Sequence, residues 1–339
     1  EAGGSKTFNF NGHLYLTGPS DQGLSDSQYA YSTFFASKAW SDNRTINFKG
    51  GVTVRHNVQF QSSYNANNSN RGHFKCTMNF DSPIDGDGSI HFPYNTLDAY
   101  FNKANTYSGA THIAHDTRLY VVGEGTLGKG PVTVNLTVMH NGVYKEAMLT
   151  FKNKSDYAMD NLFSGNGTIA LSNSSLVFSN DVSIGKLTFD ANSSAVFGGA
   201  VSASTKLTFP AGAEMSALDG ATPTLTVTNG TLFAGSLADI DIVCDGVVTN
   251  MGTLAVTRIG ANKRLDPIVI DGDAVFENAT FEISGLEGAK GGTHTILSVT
   301  GAVEGEPTFV FPEGKAYDVV RTDNAWSINK PVGFILFVR

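Results

Sequence analysis

The stretch GEGTLGKGPVTV, residues 123–134, decides the fold class because it joins a glycine-rich turn to a short alternating strand. Its core pattern is a glycine followed by threonine or serine and an aliphatic residue. This pattern returns as GDGSI (86–90), GNGTI (165–169), NGTL (229–232), MGTL (251–254) and GGTHTI (291–296). The glycines before the threonines, at 125, 167, 230, 252 and 292, are separated by 42, 63, 22 and 40 residues. These steps are close to multiples of about 21 residues, which is the size of a solenoid repeat.

The segments between these glycines alternate apolar and polar residues, as half-buried β-strands do. Typical examples are SSLVFSNDVSIGKLTF (174–189), LTVTNGTLFAG (225–235) and PIVIDGDAVFENATFEISG (267–285). Such strands place one face in a continuous core and the other in solvent. We therefore predict an all-β chain, a β-solenoid in which each repeat begins its strand at the same corner. Chance periodicity in a chain rich in glycine and threonine is the alternative.

Two neighbouring segments carry a resemblance to a known family. NTYSGATHI (105–113) followed by GTLGKGPVTV (125–134) resembles the autotransporter-associated β-strand repeat, with its Asn-Thr-Tyr-x-Gly turn and Gly-x-Leu-Gly-x-Gly run. The segment 291–314 also resembles the end of the passenger regions that contain such repeats. The resemblance implies a right-handed parallel β-helix that is exported and displayed outside the cell.

The sequence pattern divides the chain into three parts. Residues 1–84 are less regular and are predicted to form an N-terminal β cap or a small β domain. Residues 85–330 are predicted to form the parallel β-helix, and residues 331–339 an apolar strand. The best candidate for a helix is the segment SQYAYSTFFASKAW, residues 27–40.

The stretch PVGFILFVR (331–339) is apolar at both strand parities, so both of its faces must be covered. Either it is the final strand of its own core, covered by the N-terminal part, or it is donated to the next copy of the chain. The segment FNFNGHLYLTG (8–18) alternates as one strand and could equally be the donor. A membrane or sorting tail is the third reading, but the run is too short to span a bilayer. The side chains predicted to make the assembly contact are Phe334, Ile335, Leu336, Phe337 and Val338, together with Phe8, Phe10, Leu14 and Leu16 on one face of the N-terminal strand.

Cys76 and Cys244 are the only cysteines of the chain. They lie about eight repeats apart, and repeats stacked about 4.8 Å apart would separate them by roughly 40 Å. A disulfide needs Cα atoms within about 7 Å. We therefore expect two buried free thiols, with a bond made by a folded-back N-terminal domain or a bond between subunits as the alternatives.

Candidate sites for chemistry are few. Asp85 and Asp87 are two residues apart, and paired carboxylates can bind Ca²⁺ or act as acid and base. The same Asp-Gly pairs are common turn residues, which is the simpler interpretation. His112 and His115 are three residues apart, a spacing that places them on opposite faces of a strand and makes a poor metal pair. The chain has no dinucleotide or Walker-type loop and no cysteine pair with metal spacing, so we expect no cofactor.

Composition narrows the class of partner. The formal net charge is −8 and no basic stripe is visible, so nucleic acid is not expected. No apolar run reaches the ~20 residues that span a bilayer. The sequence begins with Glu1 rather than Met, which fits the removal of a signal peptide, and we expect an extracellular or cell-surface location.

Three functions compete. The first is a non-enzymatic structural protein that binds further copies of itself head-to-tail in a fibre or surface layer. The second is a displayed adhesin that binds glycans, a cell surface or protein, for which the segments 64–71 and 94–100 are the candidate contact regions. The third is a polysaccharide lyase or hydrolase, which needs a carboxylate pair beside basic and aromatic residues. The repeats and the apolar terminal segments favour the first.

Overall fold

The structure is a computed structural model. It describes residues 5–17, 32–36, 43–62, 76–93, 97–114, 116–138, 144–221, 223–228, 231–233, 236–238, 241–250, 253–256, 267–277, 279–283, 286–311 and 316–331.

The first part of the chain contains the strands β1 Lys6–Phe10, β2 Leu14–Thr17, β3 Ser32–Ala36, β4 Arg44–Phe48, β5 Val52–Arg55, β6 Asn57–Ser62, β7 Cys76–Phe80, β8 Ile84–Gly86, β9 Ser89–Phe92, β10 Leu97–Phe101, β11 Thr111–Ala114, β12 Thr117–Val122, β13 Val132–Asn135, β14 Thr137–Val138, β15 Tyr144–Lys145, β16 Met148–Lys152, β17 Tyr157–Met159, β18 Phe163–Ser164 and β19 Thr168–Ser172.

The remainder contains β20 Ser175–Phe178, β21 Val182–Phe189, β22 Ser194–Phe197, β23 Val201–Phe209, β24 Glu214–Ala217, β25 Thr224–Thr228, β26 Thr231–Phe233, β27 Ser236–Ala238, β28 Asp241–Asn250, β29 Thr253–Val256, β30 Ile268–Phe276, β31 Thr280–Ile283, β32 Gly292–Val299, β33 Val303–Gly305, β34 Thr308–Val310, β35 Val319–Thr322 and β36 Ala325–Lys330. Within the described residues the one helical segment is a single 3₁₀ turn, Leu286–Gly288.

The chain forms two compact units. The first unit consists of Glu1–Leu176 and Val182–Thr188, and the second of Val177–Asp181 and Phe189–Arg339.

The first unit is built from columns of parallel strands. Column one pairs β1, β4, β7, β10, β12, β16 and β19 in that order. Column two pairs β3, β6, β9, β11, β13, β18 and β21, and a shorter third column pairs β2, β5 and β8. Paired residues are between 19 and 38 positions apart in the sequence. This all-β arrangement of large parallel sheets is compatible with a β-solenoid.

The core of the first unit lies where columns one and two face each other. Several strands bury alternate residues, as in the pattern of Cys76–Phe80, because successive side chains of a strand point to opposite faces. Phe80 of column one meets Phe60 of column two edge to face, with ring centroids 5.0 Å apart. Phe92 and Phe101 approach across the same core at 6.2 Å. The predicted strand alternation therefore describes this unit correctly.

A glycine ladder explains the 21-residue spacing between residues 88 and 130. Gly88, Gly109 and Gly130 stack on one another, and a Cβ at either of the last two would collide with the carbonyl oxygen of the glycine before it. Gly128 is needed for a different reason, because the ring of Tyr107 occupies the space that a Cβ would take. The residues that carry the repeat resemblance are thus packing residues at a corner of the parallel stack.

The prediction that each Gly-Thr or Gly-Ser pair begins a strand at one common corner is wrong. Gly88 precedes β9 of column two, Gly167 precedes β19 of column one, and Gly125 lies in a segment without a strand. Each of these glycines lies against backbone or side-chain atoms of a neighbouring strand, so glycine is required at more than one corner. The period is real between residues 84 and 134, but this motif does not mark it.

Two further expectations about the N-terminal part differ from the structure. The predicted helix is wrong where it is described, because Ser32–Ala36 is strand β3 and pairs in parallel with β6. The predicted continuous strand 8–18 is broken into β1 and β2, which pair in different columns. The predicted limits at residues 84 and 330 remain predictions, although the parallel pairing of β6 with β9 continues past residue 84.

The second unit also stacks strands in parallel. β22, β24, β27, β29, β31 and β34 form one column, and the long strands β23, β28 and β30 pair at both ends. The last pairings change direction, because β36 runs antiparallel to both β32 and β35. Trp326 and Ile328 of β36 are buried, and the Trp326 ring meets Phe276 edge to face at 5.7 Å. This hairpin covers β32.

Candidate functional site

The candidate assembly surface begins at β1, which pairs with β4 and with no other strand among the described residues. Phe8 and Phe10 lie on the core-facing side of β1, in register with Ile46 and Phe48. The inner neighbours are buried, but Phe8 is 46% and Phe10 is 38% exposed. The exposure therefore comes from the position of β1 at the edge of the described column.

An aromatic ladder connects this edge to the core. Phe10 stacks on Phe48 with centroids 5.5 Å apart and an angle of 17°, and Phe48 stacks on Phe80 at 4.7 Å and 15°. Phe101 continues the row and meets Phe80 edge to face at 5.4 Å. Parallel in-register pairing aligns these four rings on successive strands, and Phe10 is the ring of this row that lies on β1.

An amide ladder follows the opposite face of the same strands. The Nδ2 of Asn79 donates to Oδ1 of Asn47 at 2.7 Å, and the Nδ2 of Asn47 donates to Oδ1 of Asn9 at 2.8 Å. Donation runs toward β1, so the Nδ2 of Asn9 is the next donor in the row. An in-register strand with an amide or hydroxyl acceptor would extend this ladder.

Leu14 and Leu16 lie on β2, in register with Val52 and Val54 of β5. Both leucines are partly exposed, while the two valines are completely buried. The structure therefore places the four predicted N-terminal assembly residues at the start of two columns. Phe334, Ile335, Leu336, Phe337 and Val338 lie outside the described residues.

Asp85 belongs to a row of polar side chains on the third column. The hydroxyl of Thr53 donates to Oδ1 of Asp85 at 2.5 Å and accepts from Nε2 of His13 at 2.8 Å. Asp87 instead lines a shallow open pocket with His56. Gly86, between the two aspartates, has a positive φ of 110°, so strand alternation does not bring the two carboxylates onto one face. Among the described residues no group of three or more His, Cys, Asp or Glu side chains forms.

His91 and His112 form a pair that the sequence reasoning missed. They occupy the same register position on β9 and β11, and their rings stack with centroids 4.2 Å apart and an angle of 21°. Burial, with a smaller contribution from His112, lowers the pKa of His91 to about 3. Burial also lowers the pKa of His112. The feature of the sequence that could have identified this pair is the separation of the two histidines by one 21-residue repeat. His115, which was considered with His112, lies outside the described residues.

Tyr100 and Tyr120 make a similar pair on column one, with centroids 4.6 Å apart and an angle of 9°. Each ring covers a face of the other. Of the candidate contact regions of the adhesin hypothesis, residues 64–71 and 94–96 lie outside the described residues.

Lys154 is a buried cation, only 7% exposed. Its Nζ donates to the carbonyl oxygens of Gly123 at 2.6 Å and Gly125 at 2.5 Å, and lies 4.2 Å from the centre of the Tyr157 ring. Burial lowers the pKa of Lys154. The ammonium group satisfies carbonyls of a turn that has no strand partner there, which is a structural task.

Cys76 is a free, buried thiol, and burial raises its pKa to about 12. This agrees with the expectation of a buried free thiol for this cysteine. Cys244 lies on β28, in register with Val227 of β25.

Comparison with known proteins gives no relative. No protein family, no curated protein and no solved structure matches the chain. In the described residues no helix is long and apolar enough to cross a membrane.

Proposed function

We propose that this chain is a non-enzymatic structural protein of the cell exterior, built on a right-handed parallel β-helix of the autotransporter-repeat type. Its copies associate head-to-tail through their terminal strands, and the open-ended contact produces a fibre or a surface layer. The observation that supports the proposal most strongly is the partial exposure of Phe8 and Phe10 at the edge of an otherwise buried ladder.

A partner strand at β1 would cover apolar surface that is exposed in the single chain. The exposed parts of Phe8 and Phe10 (46% and 38%) amount to about 170 Å² of apolar surface, and covering them is worth about 4 kcal/mol. A partner strand would also pair with the outer backbone edge of β1. Burial of the two side chains and strand pairing at β1 together give a subunit contact of modest free energy, which can form and dissociate reversibly.

The proposed occupant of this edge is the segment 332–338 of the next copy. Its sequence, VGFILFV, is apolar at both parities, as expected for a strand that is covered on both faces after it is donated. Within the second unit, β36 already pairs with β32 and covers it. Residues 332–338 are therefore not needed to cover β32.

The test is negative-stain electron microscopy of the full chain and three variants at the same concentration. A chain shortened by residues 332–339 removes the donor, and Phe8→Asp places a charge at the acceptor edge without entering a closed core. Tyr15→Asp is the matched control, because Tyr15 is 70% exposed on the neighbouring strand β2. We expect filaments from the full chain and from Y15D, and separate particles from the other two. Separate particles of the full chain over a hundredfold concentration range (~10 μM to 1 mM, the upper end being the Kd of a contact worth about 4 kcal/mol) would refute the assembly.

A further inference from the structure

The outward face of column two carries a row of side chains that can bind a metal ion. Gln59, His91, His112 and Thr133 occupy one register position on four successive strands. All four are partly exposed, so an ion can reach the row from solvent. The two central members are the stacked imidazoles, 4.2 Å apart.

The spacing of this pair suits a single ion. Two imidazole nitrogens that lie about 2.0 to 2.1 Å from a tetrahedral ion are about 3.3 Å apart. In the stack the rings are nearly parallel, at 4.2 Å and 21°, so both rings rotate about their terminal torsions, which vary over a broad range, to direct a nitrogen at one ion. The strand spacing of a parallel sheet is about 4.8 Å, so the register itself prevents the two rings from moving far apart.

The chemistry of the pair favours late transition metals. The neutral imidazole is the commonest side-chain metal ligand, and the pair presents two of them at one register position. Imidazole ligands suit Cu²⁺, Zn²⁺ and Ni²⁺, and affinity for a given site is highest for Cu²⁺. Hard cations such as Ca²⁺ prefer oxygen ligands and would not compete at this row.

We propose that His91 and His112 form a two-imidazole binding site for a divalent late transition-metal ion, with solvent or a further external ligand completing the coordination. The side chains of Gln59 and Thr133 lie on either side of the pair in the same row. The site is independent of the proposed assembly, because it lies on β9 and β11 rather than on β1.

The experiment is titration of the full chain with Cu²⁺ alone, followed by electron paramagnetic resonance to count the coordinated nitrogens. His91→Gln and His112→Gln each remove one ligand. Glutamine already occupies the next position of this row, at residue 59, so both variants are expected to fold. His115→Gln and His13→Gln are the controls for the neighbouring histidine and for an exposed histidine on another column.

We expect one ion with two imidazole nitrogens in the wild type, and about tenfold or greater weakening in H91Q and in H112Q, each with one nitrogen left. H115Q and H13Q should bind as the wild type does. Unchanged binding in H91Q or in H112Q would refute the pair, and so would loss of binding in H115Q. Circular dichroism of each variant separates loss of the ligand from loss of the fold.

Discussion

Replacing Phe80 with alanine tests whether the aromatic ladder holds the first unit together. Phe80 is completely buried and contacts Phe48 at 4.7 Å, Phe60 at 5.0 Å and Phe101 at 5.4 Å. A buried Phe→Ala change costs about 3 to 5 kcal/mol, and each aromatic pair contributes about 0.5 to 1.5 kcal/mol of its own. Since three rings lose a partner, we expect a loss near the upper limit, about 5 kcal/mol.

The matched variant is Phe10→Ala in the same ladder. Phe10 is 38% exposed, so its removal leaves an open surface rather than a closed cavity, and we expect a loss of about 1 to 2 kcal/mol. The assay is native-state hydrogen exchange of the amides in β4, β7 and β10, which reports local opening without assuming two-state unfolding of the whole chain. Protection of β7 should fall by a few thousandfold in F80A and by about tenfold in F10A.

The reasoning would be refuted if the two variants lost similar protection. That result would mean that the position of a ring in the ladder does not decide its energetic contribution. A control for the opposite face is Asn79→Ala. It removes the 2.7 Å hydrogen bond to Asn47 without a cavity, and should cost about 1 kcal/mol.

Two other predictions concern titratable groups. The pKa of His91 is about 3 in the folded chain and 6.5 in the unfolded chain, so the unfolded state binds more protons between these values. The free energy of unfolding in urea should therefore rise as the pH increases from about 3 to 6.5. The rise with pH should be smaller in His91→Gln, and an equal rise would contradict the assignment of this pH dependence to His91. Lys154→Met leaves the carbonyls of Gly123 and Gly125 without their donor and should cost about 2 kcal/mol, measured as faster hydrogen exchange at residues 123–127. The exposed neighbour Lys152→Met is its control, and equal effects of the two variants would rule out the proposed role of the buried ammonium.

The class of the fold could be predicted from the sequence because strand alternation is a local property. Some strands of column one show it within five residues, as CTMNF does at 76–80. The 21-residue spacing also appeared correctly between residues 84 and 134. The helix prediction at 27–40 failed where it can be checked, because pairing of β3 with β6 overrides a weak local preference.

The candidate sites show the limit of the sequence. It identified Phe8 and Phe10 as apolar residues on one strand face, but the structure decided that they end a ladder and that Leu14 and Leu16 belong to another column. It weighed His112 with His115, three residues further along the chain, and judged them a poor metal pair. The structure pairs His112 with His91 instead.

The sequence by itself determined that the chain forms short β-strands with one buried face, since side chains alternate with a period of two whatever the partner strand is. Only the tertiary structure decided which strands become neighbours and which residues share a row. Paired residues are between 19 and 38 positions apart in the first unit, because the loops between strands differ in length. A one-residue shift in the pairing register of a strand would move all its side chains to the opposite face, so the ladders and the histidine pair depend on a register that no local pattern contains.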